Sequence, residues 1–486
     1  AVGIFGLYAS MLPSQLTGAD FAGDSGDFLT AMLVGGVPHP TGYPTYTLLG
    51  QLFQRLPVGT PYTRGALLSA IPAAIAAGLL GYWLTRWVAG RSRYDWMVGV
   101  SAGLAAGVAP GIWSQAVIVE VYGLEALFVV LALVWAVCMA QPGAGARPFV
   151  LVSLAACFGL GLGNHVTLAL LAPVLAAAGW LAWRGGLRVK WLGIQLGAVF
   201  VGLLVYLYLP LAARNFPPVN WGNPQTLSGF LWDVTAKPYQ GMAFGLELAK
   251  VPQRISALAN LLWQQFGLIG LLVGVLGAVQ FRFLNKFLQV AMLWTFLVYS
   301  VFGIGYRTDD STAYLIPAYL VFAGWIGLGL LMILPLRWRT LPVGYGLAAV
   351  VLASILIQVP GNYQKVDPRV DTQPSDFARE YLGKAPAAAI LLASGDRDAF
   401  PLWYAHFGLK QRPDVAVVVL PLTQFAWYQE TLMHNYPGFR FPPLDAGALG
   451  TTRWGDQIPG LNPGHPICRS QVGSLPEEGI RSECEQ

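Results

Sequence analysis

The sequence predicts an all-α polytopic membrane protein of about eleven transmembrane helices, closed by a small C-terminal α/β domain outside the cytoplasm. Three observations predict it. Of 486 residues, 55% are hydrophobic and 11% charged, where a soluble domain carries roughly 25% charged; mean hydropathy is +0.54. Apolar runs of about 20 residues recur from the first residue to position 359, each long enough to cross a hydrocarbon core of roughly 30 Å. Basic residues gather in alternate connections between those runs. The net charge of +5 points to no nucleic acid, because in a membrane protein the distribution of charge matters more than its sum.

The chain opens on AVGIFGLYASML with no signal-peptide cleavage site, which reads as a first span and leaves open whether the N-terminus is complete. Spans are expected at 1–13, 64–86, 96–113, 118–139, 148–163, 164–183, 191–212, 257–280, 287–304, 312–334 and 341–359. Only Asn164 and His165 divide 148–183 into two halves. Arg86, Arg91 and Arg93 follow the second span, Arg147 the fourth, and Arg184, Arg188 and Lys190 the sixth. Arg282 and Lys286 follow the eighth, and Arg337 and Arg339 the tenth. All these connections fall on one side, with Asp95 almost the only acid among them, so that side is the cytoplasm. The opposite side receives 14–63, 213–256, 305–311 and everything after 360. A transmembrane domain over 1–359 and an extracytoplasmic domain over 360–486 follow, in a bacterial-type plasma membrane.

The tail patterns as a small α/β unit: strand-like AAAILLAS (387–394), helix-like AFPLWYAHFGL, and strand-like VAVVVLP (415–421). Its length of about 125 residues suffices for one small domain. Cys138 and Cys157 fall in spans and read as small buried apolar side chains. Cys468 and Cys484 lie in the tail, in a stretch poor in apolar residues. A disulfide between them would close a loop of about 15 residues, worth about 3 kcal/mol in the chain-entropy model, in a compartment that permits it.

Candidate chemistry collects at the outer face. The stretch 18–53 holds Asp20, Asp24 and Asp27 in a chain poor in acids. Asp24 and Asp27 are three apart, ahead of apolar FLTAMLV, which fits a helix N-cap with its reciprocal partner. That role is compatible with accepting a proton at the lip of a cavity. Next, PHPTGYP presents His39 and Tyr43 from a turn that proline and glycine make rigid. The turn suits ligand contact, and equally suits returning the chain to the membrane. Glu120, Glu125 and His165 lie near the outer ends of spans, where burying an ionisable group is costly enough to mark a candidate site. Gly159, Gly161 and Gly163 follow no strand and read as close helix packing. The second outside stretch carries Arg214, Asn220, Trp221, Asp233 and Lys237, and the third Arg307, Asp309 and Asp310. Arginines there suit a phosphate or anchor lipid headgroups. Asp396 and Asp398, at the end of a tail strand, read as solvated loop acids that could touch an acceptor. No HExxH, paired CxxC, P-loop or EF-hand spacing occurs, so no metal or cofactor is expected.

The pieces GDSGDF, GVPHPTGYPTYTLLG, EVYGLEALF, GLGLGNHVT, PPVNWGNPQTLSGFLWDVT and GDRDAFPLWYAHFGLKQRPDVAVVV occur in one order. Together they resemble a family of polytopic proteins, long labelled a domain of unknown function, whose eukaryotic member is a protein O-mannosyltransferase of the endoplasmic reticulum. That family is similar to the GT-C superfamily of membrane glycosyltransferases. The resemblance implies a polyprenyl-phosphate-linked sugar as donor, a protein or glycan hydroxyl as acceptor, and an acid of the first outside loop, Asp24 or Asp27, as catalytic base. Asp24 is preferred. His39, Tyr43, Glu120, His165, Arg214, Asn220, Trp221, Arg307 and Asp309 are the substrate-binding candidates. One departure is that Ala212 sits after LP where the family pattern places an arginine, with Arg214 displaced. The alternative is a non-catalytic accessory subunit that works with other membrane proteins. A transporter fits less well, since midplane acids and repeat symmetry are missing.

Overall fold

The computed structural model describes residues 1–88, 96–141, 147–243, 245–280, 286–444, 453–472 and 480–485. Arg91, Arg93, Asp95 and Arg282 of the expected cytoplasmic connections lie outside them. Every apolar segment anticipated as a span is helical. After α1 (Val2–Ala9) come two short helices of the first outside loop, α2 (Ser25–Val34) and α3 (Pro44–Phe53), and then the long α4 (Pro61–Val88). The next span is bent. Its halves, α5 (Trp96–Val108) and α6 (Pro110–Ala116), meet at 63°, because Pro110 lacks the N–H that would continue the ladder and instead opens a new helix at N1. There follow α7 (Tyr122–Ala140) and α8 (Pro148–Leu162). The chain stops at Asn164 and His165 as expected, then resumes as a 3₁₀ turn over Val166–Leu171 and α9 (Ala172–Arg184).

Beyond it lie α10 (Val189–Leu203), the outside α11 (Tyr208–Ala213) and α12 (Leu227–Val234), then α13 (Val251–Ala278), α14 (Lys286–Gly305), α15 (Ile316–Ile333) and α16 (Val343–Leu356). The α13 run is broken at Gly267, where φ is +64°, a conformation glycine adopts without steric cost. Among the described residues, eight helices are long and apolar enough to cross a membrane, nine when the bent pair counts as one span. With 8 and 15 residues, α1 and α8 are shorter than that.

The bundle core is built mainly of Ala, Leu and Val, with Tyr, Ile, Phe and Met among them. Its backbones come close: a methyl group on Gly159 of α8 would lie 2.1 Å from the Val199 carbonyl oxygen of α10. Close packing therefore explains the glycines of GLGLG.

In the tail, α17 (Val359–Lys365) and α18 (Gln373–Lys384) lead into β1 (Ile390–Ala393), α19 (Asp396–Trp403), β2 (Ala416–Val419) and α20 (Ala426–Asn435). Two further strands, β3 (Ile467–Val472) and β4 (Ile480–Glu485), complete a four-stranded sheet in the order β2-β1-β3-β4. β1 runs parallel to β2 and β3, while β4 is antiparallel to β3. Cys468 and Cys484 face each other across β3 and β4 and are joined by a disulfide. The tail core also takes in Ala31, Val219 and Trp221, so the domain is built onto the outside loops.

Candidate active site

Local sequence explains why α2 starts where it does, but its acids are not used as expected. Asp24 occupies the N-cap position, yet its side chain accepts no hydrogen bond from the helix. The capping box anticipated from Asp24 and Asp27 does not form, because both carboxylates have partners outside α2. Asp27 is fully buried. Its Oδ2 accepts the backbone N–H of His39 and the His39 Nδ1–H, each at 2.8 Å. Its Oδ1 accepts the Trp221 indole N–H at 3.1 Å. A carboxylate is acceptor-only, so Nδ1 carries the proton.

The turn Pro38–Tyr43 aims His39 at this acid. Tyr43 sits in the left-handed region at φ +38° immediately before Pro44, and its ring lies 5.1 Å from that of His39. On the far side of the imidazole, Nε2 stands 3.6 Å from Asp24 Oδ2. Asp27, His39 and Asp24 thus form a line from the protein interior to a cavity. Burial alone would lower the pKa of His39, but the Asp24 charge and the Asp27 hydrogen bond outweigh it and bring it up to about 9. Burial raises the Asp24 pKa; His39 opposes this and Asp396, Asp310 and Asp27 add to it, leaving it at about 6.

The cavity holds about 360 Å³ and is lined by Asp24, His39, Tyr43, His165, Asp310 and Asp396, with Tyr122, Tyr239, Tyr306, Tyr314 and Phe400 among its other walls. It lies at the bundle end where α7, α9 and α15 begin and α8 and α14 finish. The basic connections near Arg86, Arg147, Arg184, Lys286 and Arg337 lie at the opposite helix ends. His165 is fixed much as His39 is. The Thr167 hydroxyl donates to Glu125 Oε1 at 2.6 Å, so its single proton is used, and the 2.6 Å contact with His165 Nδ1 has the imidazole donating. The ring is set among those of Tyr43, Tyr122 and Tyr314 at 6.0, 5.6 and 5.7 Å.

A second cavity of about 250 Å³ is lined by Lys250, Arg254 and Arg307 with Glu247 and Gln253. The two cavities share a wall. Thr308 and Met242 line the first while Arg307 lines the second, and the Arg307 N–H donates to the Met242 carbonyl at 3.0 Å.

Of the anticipated site residues, Asp24, His39, Tyr43 and His165 line the main cavity, and Asp27 and Trp221 stand behind it. Asn220 is buried and pairs the second outside stretch with the first through a bridge to Val37. Glu120 is buried but is not among the lining residues; Tyr122, two positions on, is. Arg214 is exposed at the end of α11 and lines neither cavity. The side chain of Asp309 lies outside the described residues; its neighbour Asp310 faces the main cavity.

Of the two tail acids expected to be solvated, Asp396 is exposed and Asp398 is not. Asp398 is fully buried and accepts from Ser394, Gly395 and Ser470, capping α19. Asp396 opens onto the main cavity. Lys250 and Arg254 were not anticipated; as ordinary charges at the foot of a span they carry no local signal. Among the described residues, no three His, Cys, Asp or Glu side chains are arranged to hold a metal ion.

Comparisons with known proteins agree with this architecture. Residues 24–184 match the family model described as the protein O-mannosyl-transferase TMEM260 N-terminal domain, and residues 374–437 match TMEM260-associated domain 2. Protein O-mannosyl-transferase TMEM260 of Mus musculus is 29% identical over 471 residues, covering 90% of this chain and 64% of the relative. The Dictyostelium discoideum protein of the same name is 24% identical, covering 86% and 57%. The chain therefore spans less than two thirds of the length of these curated relatives. Among solved structures, ArnT from Cupriavidus metallidurans bound to undecaprenyl phosphate superposes with a TM-score of 0.61 at 14% identity, over 96% of this chain and 91% of that one. At that identity the likeness concerns the fold. With two TMEM260 domain matches and this superposition, the chain is a multi-pass membrane protein of the GT-C fold that resembles the family of the protein O-mannosyltransferase TMEM260.

Proposed function

We propose that the protein is an inverting membrane glycosyltransferase that moves a sugar from a polyprenyl phosphate to an acceptor hydroxyl on the extracytoplasmic side, where the tail domain (360–486) meets the outer end of the transmembrane domain (1–359). The observation that carries this reading is Asp24: a carboxylate that caps no helix, opens onto a cavity, and stands 3.6 Å from an imidazole held from behind by the buried Asp27.

In this reading Asp24 is the catalytic base. The acceptor O–H gives its proton to Asp24 while the oxygen attacks the anomeric carbon. The new C–O bond forms as the bond to phosphate breaks, and the electron pair leaves with the polyprenyl phosphate. That leaving group is already a weak base, so it needs no general acid but does need stabilisation of its charge. Lys250, Arg254 and Arg307 supply it from the adjoining cavity. His39, an imidazolium over most of the working pH range, orients Asp24, and Asp27 is a positioning residue that holds the His39 ring. Its oxygens already accept three hydrogen bonds in a fully buried place, which fits that role better than proton abstraction. The aromatic walls suit the faces of a sugar ring. Arg214, exposed and away from both cavities, has no part.

The test uses the full chain in lipid nanodiscs with labelled polyprenyl-phosphate hexoses, mannose first, and hydroxyl-bearing peptides or glycans. Label should pass to an acceptor, and Asp24→Asn should remain folded yet lose transfer at least a hundredfold, as removal of a general base does. Near-normal turnover by Asp24→Asn would exclude it as base. Absence of transfer from any donor would favour an accessory subunit.

A further inference from the structure

The tail domain does more than cover the bundle. Phe400 and Asp396, four residues apart on α19, both line the main cavity, and their placement is fixed twice. Asp398 caps the start of the helix through Ser394 and Gly395. On the other side, α2 and α19 meet so closely that a methyl group on Gly26 would lie 2.5 Å from the Phe400 carbonyl oxygen. Gly26 is the second residue after Asp24. The same contact that seats the tail therefore sets Asp396 and Asp24 in one fixed relation across the cavity.

The charges on these walls are unequal: three carboxylates, Asp24, Asp310 and Asp396, face the single His39 imidazolium, while the tyrosine hydroxyls donate as well as accept. Asp24, Asp310 and Asp396 open onto the cavity as acceptors, and none of them receives a hydrogen bond from the described residues. Among the described residues no lysine or arginine lines this cavity; Lys250, Arg254 and Arg307 stand in the adjoining one. An anionic acceptor would meet three carboxylates against one imidazolium, which is already paired with Asp24. A peptide segment, with backbone N–H groups and neighbouring lysine or arginine side chains, would satisfy them.

We propose that Asp396 is a specificity-determining residue on the acceptor side of the cavity, and that it selects hydroxyl-bearing polypeptide segments with basic residues beside the hydroxyl. This rests on the glycosyltransferase reading for its consequence but not for its measurement. Two fluorescent serine peptides of equal length, one flanked by lysines and one by glutamates, are titrated onto the full chain in nanodiscs, alongside undecaprenyl phosphate as a lipid control.

The lysine-flanked peptide should bind at least tenfold more tightly, the scale of one charge-assisted hydrogen bond. Asp396→Asn should remove about that factor while binding of undecaprenyl phosphate stays unchanged, and Asp396→Glu should restore part of it. In transfer assays the same variant should raise the peptide KM with little change in kcat. Equal binding of the two peptides, or a preference untouched by Asp396→Asn, overturns the inference. Selective, Asp396-dependent binding without sugar transfer from any donor would instead sink the glycosyltransferase reading and leave this one standing. Should Asp396→Asn lose lipid binding as well, its fold is compromised and Asp396→Glu decides: a retained lysine preference supports the inference and a lost one overturns it.

Discussion

Proton uptake by Asp24, the base of the proposed mechanism, is favoured first by burial and then adjusted by charged neighbours that pull in opposite directions. His39 favours the carboxylate, whereas Asp310 and Asp396 across the cavity and Asp27 behind it oppose it. The balance leaves the pKa at about 6, and the sign follows: a base works only when deprotonated, so kcat/KM should hold above pH 6 and fall as pH drops through it. Replacing His39 by Gln removes the favourable charge and should move this acid limb to higher pH. Replacing Asp310 or Asp396 by Asn removes a repulsive charge and should move it to lower pH. A pH–rate profile in which the His39 and Asp396 variants shift the same way would contradict the arrangement. This residue-scale network was only half legible in the sequence. The clustering of Asp24, Asp27 and His39 was visible, but DSGDF ahead of an apolar run also fits a capping pattern. Only the 12-residue return of the chain, which lays the His39 N–H and Nδ1–H on Asp27, decides between the two.

At the scale of elements, the contact between α2 and α19 is the joint on which the site depends. Gly26→Ala would force a methyl group against the Phe400 backbone at 2.5 Å, and overpacking of that kind costs about 1–3 kcal/mol. The expected outcome is a lower melting temperature and faster proteolytic release of the tail. Gly383 on α18 has nothing within 4 Å of an added methyl group, so Gly383→Ala should be neutral or slightly stabilising. Equal behaviour of the two variants would show that the joint bears no load. The helices were readable because each is an apolar run bounded by charge, glycine or proline. β1 and β2 were readable for the same reason, being continuous apolar runs buried in a parallel sheet. β3 and β4 were not, since ICRSQV and IRSECE lack the apolar alternation that marks a strand. They take strand form because β3 pairs with β1 inside the sheet and β4 closes its edge, and the Cys468–Cys484 disulfide ties the two together. Gly26 gave no warning, because a close approach between residues nearly four hundred positions apart leaves no local pattern.

Across the whole molecule, the loop charges and the cavity give one consistent polarity: basic connections at one end of the bundle, and all the acids of the site at the other. The side of the site was therefore legible from lysine and arginine alone. Which arginines line a cavity was not, because Arg214 and Arg307 sit in similar loop borders and only the fold separates them. This yields a direct test of where the polyprenyl phosphate is held. Arg254 and Arg307 share one cavity with Lys250, whose ammonium is partly engaged by Glu247 at 3.3 Å, so the two arginines are the freer cations. Arg307 is exposed, and water and salt screen much of its charge. Each arginine should therefore contribute about 1 kcal/mol to phosphate binding. Arg254→Gln combined with Arg307→Gln should weaken undecaprenyl phosphate binding by about 10- to 100-fold, more so at low ionic strength, while peptide binding is retained. Arg214→Gln should leave both unchanged. If the double variant binds the lipid as tightly as the parent and Arg214→Gln does not, the phosphate lies on the α11 side of the molecule, and the division into an acceptor cavity and a phosphate cavity must be redrawn.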